Sequence, residues 1–509
     1  MLVFIIRRLI VSVFVLLAAT LIVYVLTANS GDPIADLRED RTPSRDAKIA
    51  QRREILQLDT AVPVRYLNWL RGIAGCVLPL AACDLGTNRV GQDVGALLAL
   101  AFASTMRLVV TAAVVAIILG VTVGIISALR QYSGFDYSIT FASFLFFSLP
   151  SFWIAVLLKQ YGAIKFNDWL ADPVIPLLVV IGISLVSGLF WMAVIGGNRR
   201  RRLITFAAAL VATAAVLQYL SLTRWFETPG LGLGVILVSS LAIALAVTVL
   251  VSGLEKRQVL YAALAAAVGG AISYLATGPV LINPTWPILI GLLALTVAIC
   301  GAIGYLLGGI ERSAAIRAAI LTGVLSSLLI FADHVMQAVP AYSGRVSGRI
   351  VSTIGSDTPN FTGNFWQEYI DKQTHLVLPT LALILISFAT YTRYTRASML
   401  EVMNQDYVRT ARSKGLTERT VVMRHAFRNA LIPVTTLMAF DFAGIVGGAI
   451  ITEQVFGWRG MGSLFNEGLT TVDPDPVMAF FIVTGSAIVV FNMIADIMYA
   501  YLDPRIRLN

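Results

Sequence analysis

The chain has 509 residues, 57% hydrophobic and only 13% charged. A soluble domain would carry about twice that share of charge. Apolar runs near the roughly 20 residues that cross a bilayer recur along it, so the chain reads as an all-α polytopic membrane protein of about twelve transmembrane helices. The net charge of +9 belongs to loops beside these runs and is not a nucleic-acid signal. No GxxxxGK[ST] loop is present to hold nucleotide phosphates. The three histidines (His334, His375, His425) are too far apart to make a metal site. No catalytic constellation stands out either, so the chain does not read as a hydrolase.

Met1 to Arg8 is short and basic, and Leu9 to Thr27 is apolar. We read an uncleaved first span in preference to a signal peptide, because no small-x-small cleavage site precedes Gly31. Residues 28–95 form a polar loop too long for its charge to govern topology. It contains Cys76 and Cys83, for which two readings stand: a disulfide in an external compartment, turning at Pro79, or two unpaired small apolar residues. Ala96 to Leu129 is the second span, and Tyr137 to Leu158 the third. Pro150 removes a backbone hydrogen bond within the third and should kink it.

Six further runs follow, near 174–196, 203–222, 231–253, 259–278, 286–309 and 316–335. The hinges Arg199 to Arg202, Glu255-Lys256-Arg257 and Glu311-Arg312 are charged, whereas those around Pro229 and Pro284 are poor in Lys and Arg. Basic hinges belong on the cytoplasmic side, and an even number of runs returns the chain to the side it left. Arg200, Lys256 and Arg312 are each 56 residues apart, a period that suggests a repeated helical hairpin. Gly269, Gly270, Gly301, Gly304, Gly308 and Gly309 suit close helix packing in lipid, and Cys300 reads as inert core.

From Pro340 the chain is polar again. A span from His375 to about Tyr391 leads into a basic stretch with eight Arg and Lys between Arg393 and Arg428. That stretch belongs on the cytoplasmic side. Within it, Tyr407 to Ser413 can form a helix that Gly415 stops in a left-handed conformation. Thr417 can cap the next helix, with Glu418 in its first turn, and Pro433 marks the start of the next apolar run. The alternative is a basic amphipathic loop resting on anionic membrane lipid. Leu431 to Thr452 and Pro476 to Tyr501 are the last spans, leaving both termini cytoplasmic. Asp441 lies midway through the first of them, where a carboxylate is costly; it either lines a pathway or bonds a neighbouring helix.

The basic stretch carries a resemblance. DYVRTARSKGL (406–416) followed by HAFRNALIP (425–433) resembles the coupling loop of permease subunits in the dipeptide/oligopeptide (peptide/nickel) class of ABC importers. Arg409-Thr410-Ala411 stands where importers generally have Glu-Ala-Ala, a variant common in the peptide branch. Other stretches are similar to the same family: Cys83-Asp84-Leu85-Gly86, LPSFW at 149–153, HLVLP at 375–379, and the loop from Glu453, with Gln454 for the family's Thr and Arg459 for its Pro.

The resemblance implies a permease core in two parts, 1–171 and 340–509, separated by a six-helix membrane bundle at 172–339 where the family has a short connection. It also implies a second homologous permease subunit, two ATPase subunits that bind ATP and Mg, and an external substrate-binding protein delivering peptide at a bacterial plasma (inner) membrane. ATPase docking would fall on the cytoplasmic loop 393–430, at Arg409, Ala411, Lys414, Gly415, Leu416, Thr417, Glu418, Arg419, His425, Arg428 and Asn429. Asp441 and Pro150 would belong to the translocation pathway. The competing function is a twelve-helix secondary transporter driven by an ion gradient, which would call for two similar halves; here the repeat is confined to the middle third.

Overall fold

The computed structural model describes residues 2–77 and 83–502, so Pro79 and the end of the basic tail lie outside the described residues. The long helices are α1 (Leu2–Ala28), α2 (Val62–Val77), α3 (Val94–Leu129), α4 (Gly134–Ser148), α5 (Ser151–Leu170, with a π-helical stretch at Leu158–Lys165), α6 (Leu177–Ile195), α7 (Arg199–Leu222) and α8 (Gly232–Val251). They continue as α9 (Arg257–Thr277), α10 (Trp286–Leu307), α11 (Arg312–Arg345), α12 (Phe365–Met403), α13 (Asp406–Ser413), α14 (Phe427–Phe456), α15 (Met461–Thr470) and α16 (Pro474–Leu502). All twelve predicted apolar runs fall on helices. Among the described residues ten helices are long and apolar enough to cross a membrane, and the bent pair α4–α5 makes up to eleven. The remaining segment, α14, has 30 residues, about 45 Å at 1.5 Å per residue.

The centre of the molecule is the parallel pair α3 and α12, and its cause is visible in the sequence. Ala112, Ala116, Gly120, Gly124 and Ala128 recur every fourth residue and are all buried on α3. Residues four apart share one helix face, so small side chains there let two backbones approach closely in lipid, where apolar burial does not drive association. A methyl added at Gly120 would stand 2.5 Å from Tyr391 Cβ and 3.3 Å from the Thr392 nitrogen. At Gly124 it would stand 2.8 Å from the Thr392 carbonyl oxygen.

The bundle has two polar ends. At one end the Arg130 guanidinium donates to the Val194 carbonyl, Lys256 pairs with Glu311, and Ala128 packs with Met399, Val422 and Ala426. The three charged hinges therefore share an end with residues 404–430. At the other end Asn283 accepts from the Phe365 nitrogen at 3.0 Å, and the Trp366 indole donates to the Leu281 carbonyl at 2.7 Å.

Several boundaries differ from expectation. Pro150 ends a helix: α4 stops at Ser148, Leu149 is extended, and α5 leaves at 104°. Proline disfavours helical geometry in the residue before it, so the third span is broken and not merely kinked. The span predicted to end near Tyr391 runs on to Met403. Pro340 lies inside α11, which continues to Arg345.

Helices α8 to α11 bury an alanine-rich core that includes Ala262, Ala266, Ala315, Ala319 and Cys300. Gly304 meets the backbone of Ile316, whereas Gly269 faces open space. A carboxylate with no sequence-level role, Asp333, is fully buried here. It accepts from the Leu231 and Gly232 nitrogens (2.6 and 3.2 Å), the Tyr274 hydroxyl (2.8 Å) and Gln337 (2.7 Å). Four donors satisfy it as a cap for the start of α8.

Candidate functional site

The 404–430 segment is built on two apolar anchors and a turn. On α13, Val408 and Ala411 are three residues apart and so share a face; both are buried with Val421, against Val402 and Met403. The helix ends at Ser413 with Lys414 as its cap residue, and Gly415 takes φ +76°, with its nitrogen donating to the Arg412 carbonyl at 2.9 Å. That left-handed conformation is costly for side chains other than glycine or asparagine. Thr417 has the extended backbone of an N-cap, but its hydroxyl meets that of Thr420 at 2.9 Å, so the predicted side-chain cap is not made.

From Glu418 the chain stays helical through a π-helical stretch, Val421–Ala426, directly into α14. Pro433, at the entry to the apolar run, consequently lies inside α14. Val422, Ala426 and Ala430 seat this part on Ala128 and Met399, the ends of α3 and α12.

Three polar ties hold the segment in shape. Arg412 pairs with Glu418 at 2.7 Å across the Gly415 turn, which holds the Glu418 carboxyl below its ordinary range. Asn429 donates to the Tyr407 hydroxyl at 2.8 Å, joining α13 to α14. Ser398 donates to the Ala430 carbonyl at 2.8 Å. Arg409, Lys414, Arg428 and Asn429 are exposed, His425 is half-buried, and the Arg419 side chain lies outside the described residues. Three large apolar side chains are exposed beside these charges: Tyr407 (42%), Leu416 (41%) and Met423 (56%).

A tie that sequence reasoning missed lies just behind the segment. Asp136, at the start of α4, is 2% exposed. It accepts from Arg396 of α12 through two bonds, 2.6 and 2.9 Å, and from the Ser127 hydroxyl of α3 at 2.5 Å. This two-pronged ion pair joins three helices immediately before the α12–α13 connection. The sequence offered only a lone acid at the start of a span, with nothing to name its partner.

The other predicted residues lie elsewhere. Asp441 is half-buried on α14, facing the Tyr391 and Ser387 hydroxyls of α12. Pro150 is the cap residue just before α5, whose Lys159 donates to the Val455 carbonyl at 2.7 Å. Cys76 and Cys83 form a disulfide. None of these touches the 404–430 segment.

At the end opposite that segment, Glu453 is fully buried and accepts from the Thr105 hydroxyl (2.6 Å) and the Ser463 nitrogen (3.1 Å). Phe456, Trp458, Gly460 and Gly462 are buried around it, while Gln454 and Arg459 are exposed. The two places where this loop departs from the expected pattern are thus solvent-facing ones, and the matching positions form its core.

Residues 265–508 match the model of the binding-protein-dependent transport system inner membrane component, and residues 1–87 match that of its N-terminal part; together they cover more than half of the chain. The oligopeptide transport system permease protein OppB of Mycobacterium tuberculosis is 42% identical over 155 residues, 30% of this chain and 48% of that protein. AppB of Bacillus subtilis, an oligopeptide permease, is 43% identical over 155 residues, again 30% and 48%. The dipeptide permease DppB of Escherichia coli is 37% identical over 172 residues, 32% and 51%. The aligned stretch spans about half the length of each relative. The chain belongs to the family of binding-protein-dependent transport system inner membrane components.

Proposed function

We propose that this chain is one of two permease subunits of an ATP-driven peptide importer in a bacterial inner membrane, and that residues 404–430 dock an ATPase subunit. The observation that carries this reading is the segment's construction. Val408, Ala411, Val421 and Ala426 fix it to the ends of α3 and α12, while Tyr407, Leu416 and Met423 stay exposed among cations. A loop resting on lipid would not need a turn braced by Arg412–Glu418 and Tyr407–Asn429.

In this reading the polar end with residues 404–430 and both termini is cytoplasmic, in keeping with its basic hinges. ATP and Mg are bound by the ATPase subunits, and an external binding protein delivers peptide at the opposite end. Helices α6 to α11 form an added membrane bundle between the two halves of the core. Closure of the ATPases pushes on α13, and the joined ends of α3, α4 and α12 carry the displacement into the helices. Asp441, between α14 and α12, borders the route.

Reconstitution tests this. Peptide uptake into liposomes should require this chain, its partner permease and ATP-hydrolysing subunits, and should persist when ion gradients are collapsed. Uptake that follows an ion gradient without ATP would favour a secondary transporter instead.

A further inference from the structure

The hinge between α6 and α7 carries four consecutive arginines, Arg199 to Arg202, and no Asp or Glu occurs from Pro173 to Phe226. All four arginines are exposed. None of their side chains has an ion pair, a hydrogen bond or a ring contact among the described residues. Several basic groups at the same end of the bundle are engaged within the protein. Lys256 pairs with Glu311, the Arg312 guanidinium lies 4.8 Å from the centre of the Tyr305 ring, and Arg317 Nε donates to the Ser313 carbonyl at 3.0 Å.

Helix length sets the depth of the four arginines. Helix α7 has 24 residues; at 1.5 Å per residue its arginine turn takes up about 6 Å and the rest about 30 Å, the thickness of a bilayer's hydrocarbon core. Helix α6, with 19 residues, is about 28 Å long. The hinge therefore falls in the headgroup layer. Trp191, about one turn before the hinge, is 47% exposed, and such rings favour a membrane interface. Leu203 and Ile204, just after the arginines, are each 60% exposed.

Protein covers little of this hairpin. The Ser187 and Thr213 hydroxyls meet at 2.8 Å and Gly188 lies against Phe206, so α6 and α7 pair with each other, yet no residue of α7 is buried. Acyl chains surround the apolar turns, and headgroups are what the guanidinium groups can reach. A guanidinium binds phosphate through paired N–H donors, and here no carboxylate competes for it.

We propose that the α6–α7 hinge is a binding site for anionic phospholipid headgroups, held by Arg199, Arg200 and Arg202. Arg201 is set aside because its stem folds back over Gly197, where an added methyl would stand 2.8 Å from Arg201 Cδ. The site fastens a sparsely covered hairpin to the bilayer and does not rest on the transport reading.

Native mass spectrometry of the purified, delipidated full-length protein tests this, with phosphatidylglycerol, phosphatidylcholine and glycerol phosphate as probes. Phosphatidylglycerol should bind at least about tenfold more tightly than phosphatidylcholine, since each basic residue near an anionic surface is worth about fivefold. Glycerol phosphate, which lacks acyl chains, should not displace it at equal concentration. Arg199→Gln/Arg200→Gln/Arg202→Gln should lose the preference, and Arg199→Lys/Arg200→Lys/Arg202→Lys should keep it. Lys256→Gln/Arg312→Gln/Arg317→Gln removes the same charge from side chains already partnered in the protein and should keep it too. A wild-type preference in the first variant, or an equal loss in the last, would overturn the proposal, the latter reducing the effect to net charge. Glycerol phosphate that binds as tightly as the lipid would overturn it in favour of a free-phosphate site. Loss of co-purified ATPase subunits from the first variant, with its lipid preference intact, would assign the arginines to a protein partner instead.

Discussion

Gly120→Ala is the sharpest probe of the α3–α12 seam on which the bundle is assembled. The new methyl would lie 2.5 Å from Tyr391 Cβ and 3.3 Å from the Thr392 nitrogen, whereas carbon pairs settle at about 3.5–4.0 Å. Tyr391 is 1% exposed, and the other contact is backbone, so neither neighbour can swing aside. The helices must part by about 1 Å, and overpacking of this kind costs about 1–3 kcal/mol. Gly124→Ala meets the Thr392 carbonyl and Thr395 Cβ, both at 2.8 Å, and should cost about the same. One turn apart on one seam, the two should combine to less than their sum, because the first has already separated the helices.

Gly269→Ala is the control. Nothing lies within 4 Å of its added methyl, and replacing a mid-helix glycine there should gain up to about 1 kcal/mol. Thermal midpoints of the three purified proteins in one detergent give the comparison. A Gly120→Ala midpoint at or above that of wild type would refute the seam.

Three further outcomes follow from the geometry. Asp136→Asn leaves Arg396 without its counter-charge; since that guanidinium is 26% exposed, the loss should be about 1–3 kcal/mol, less than for a wholly buried pair, and thermal unfolding measures it. Asp441→Asn should preserve assembly and lower peptide uptake, and unchanged uptake with unchanged ATP use would assign the residue to helix contact alone. Single cysteines at Asn198 and Asn283 lie at opposite ends of the bundle, so an impermeant thiol reagent on intact cells should label position 283 and spare 198; the reverse pattern would invert the orientation.

The helices were legible because apolar runs of bilayer length are a strong signal, and parity of charged hinges placed Arg199, Lys256 and Arg312 at one end of the bundle. Gly415 was legible too, since a glycine between two short helix patterns points to a left-handed turn. Less accessible were features created by helices distant in sequence. Asp136 gains its role only from Arg396, 260 residues later, and Glu453 only from Thr105. Asp333 sits in an apolar run that offered no hint of the backbone nitrogens it caps. The small-residue seam was in plain view at four-residue spacing, but only the position of α12 shows which glycines are crowded. Thr417 fails as a side-chain cap because its hydroxyl has a nearer partner in Thr420. Pro150 separates two helices because the residue before it adopts an extended backbone, a choice a kink does not require.

The most direct test of the coupling role is Gly415→Val set beside Gly415→Asn. Nothing lies within 4 Å of a Cβ at this position, so a clash cannot explain any damage; only the backbone conformation, φ +76°, is at stake. Valine in that region costs about 1–3 kcal/mol, enough to unmake a turn held by few contacts, whereas asparagine adopts it readily. Both proteins should insert in the membrane, because no span is altered. Co-purification of ATPase subunits and ATP-dependent peptide uptake, measured on the same preparations, should be retained with asparagine and lost with valine. A Gly415→Val protein that keeps wild-type ATPase association and uptake would contradict the coupling role of residues 404–430.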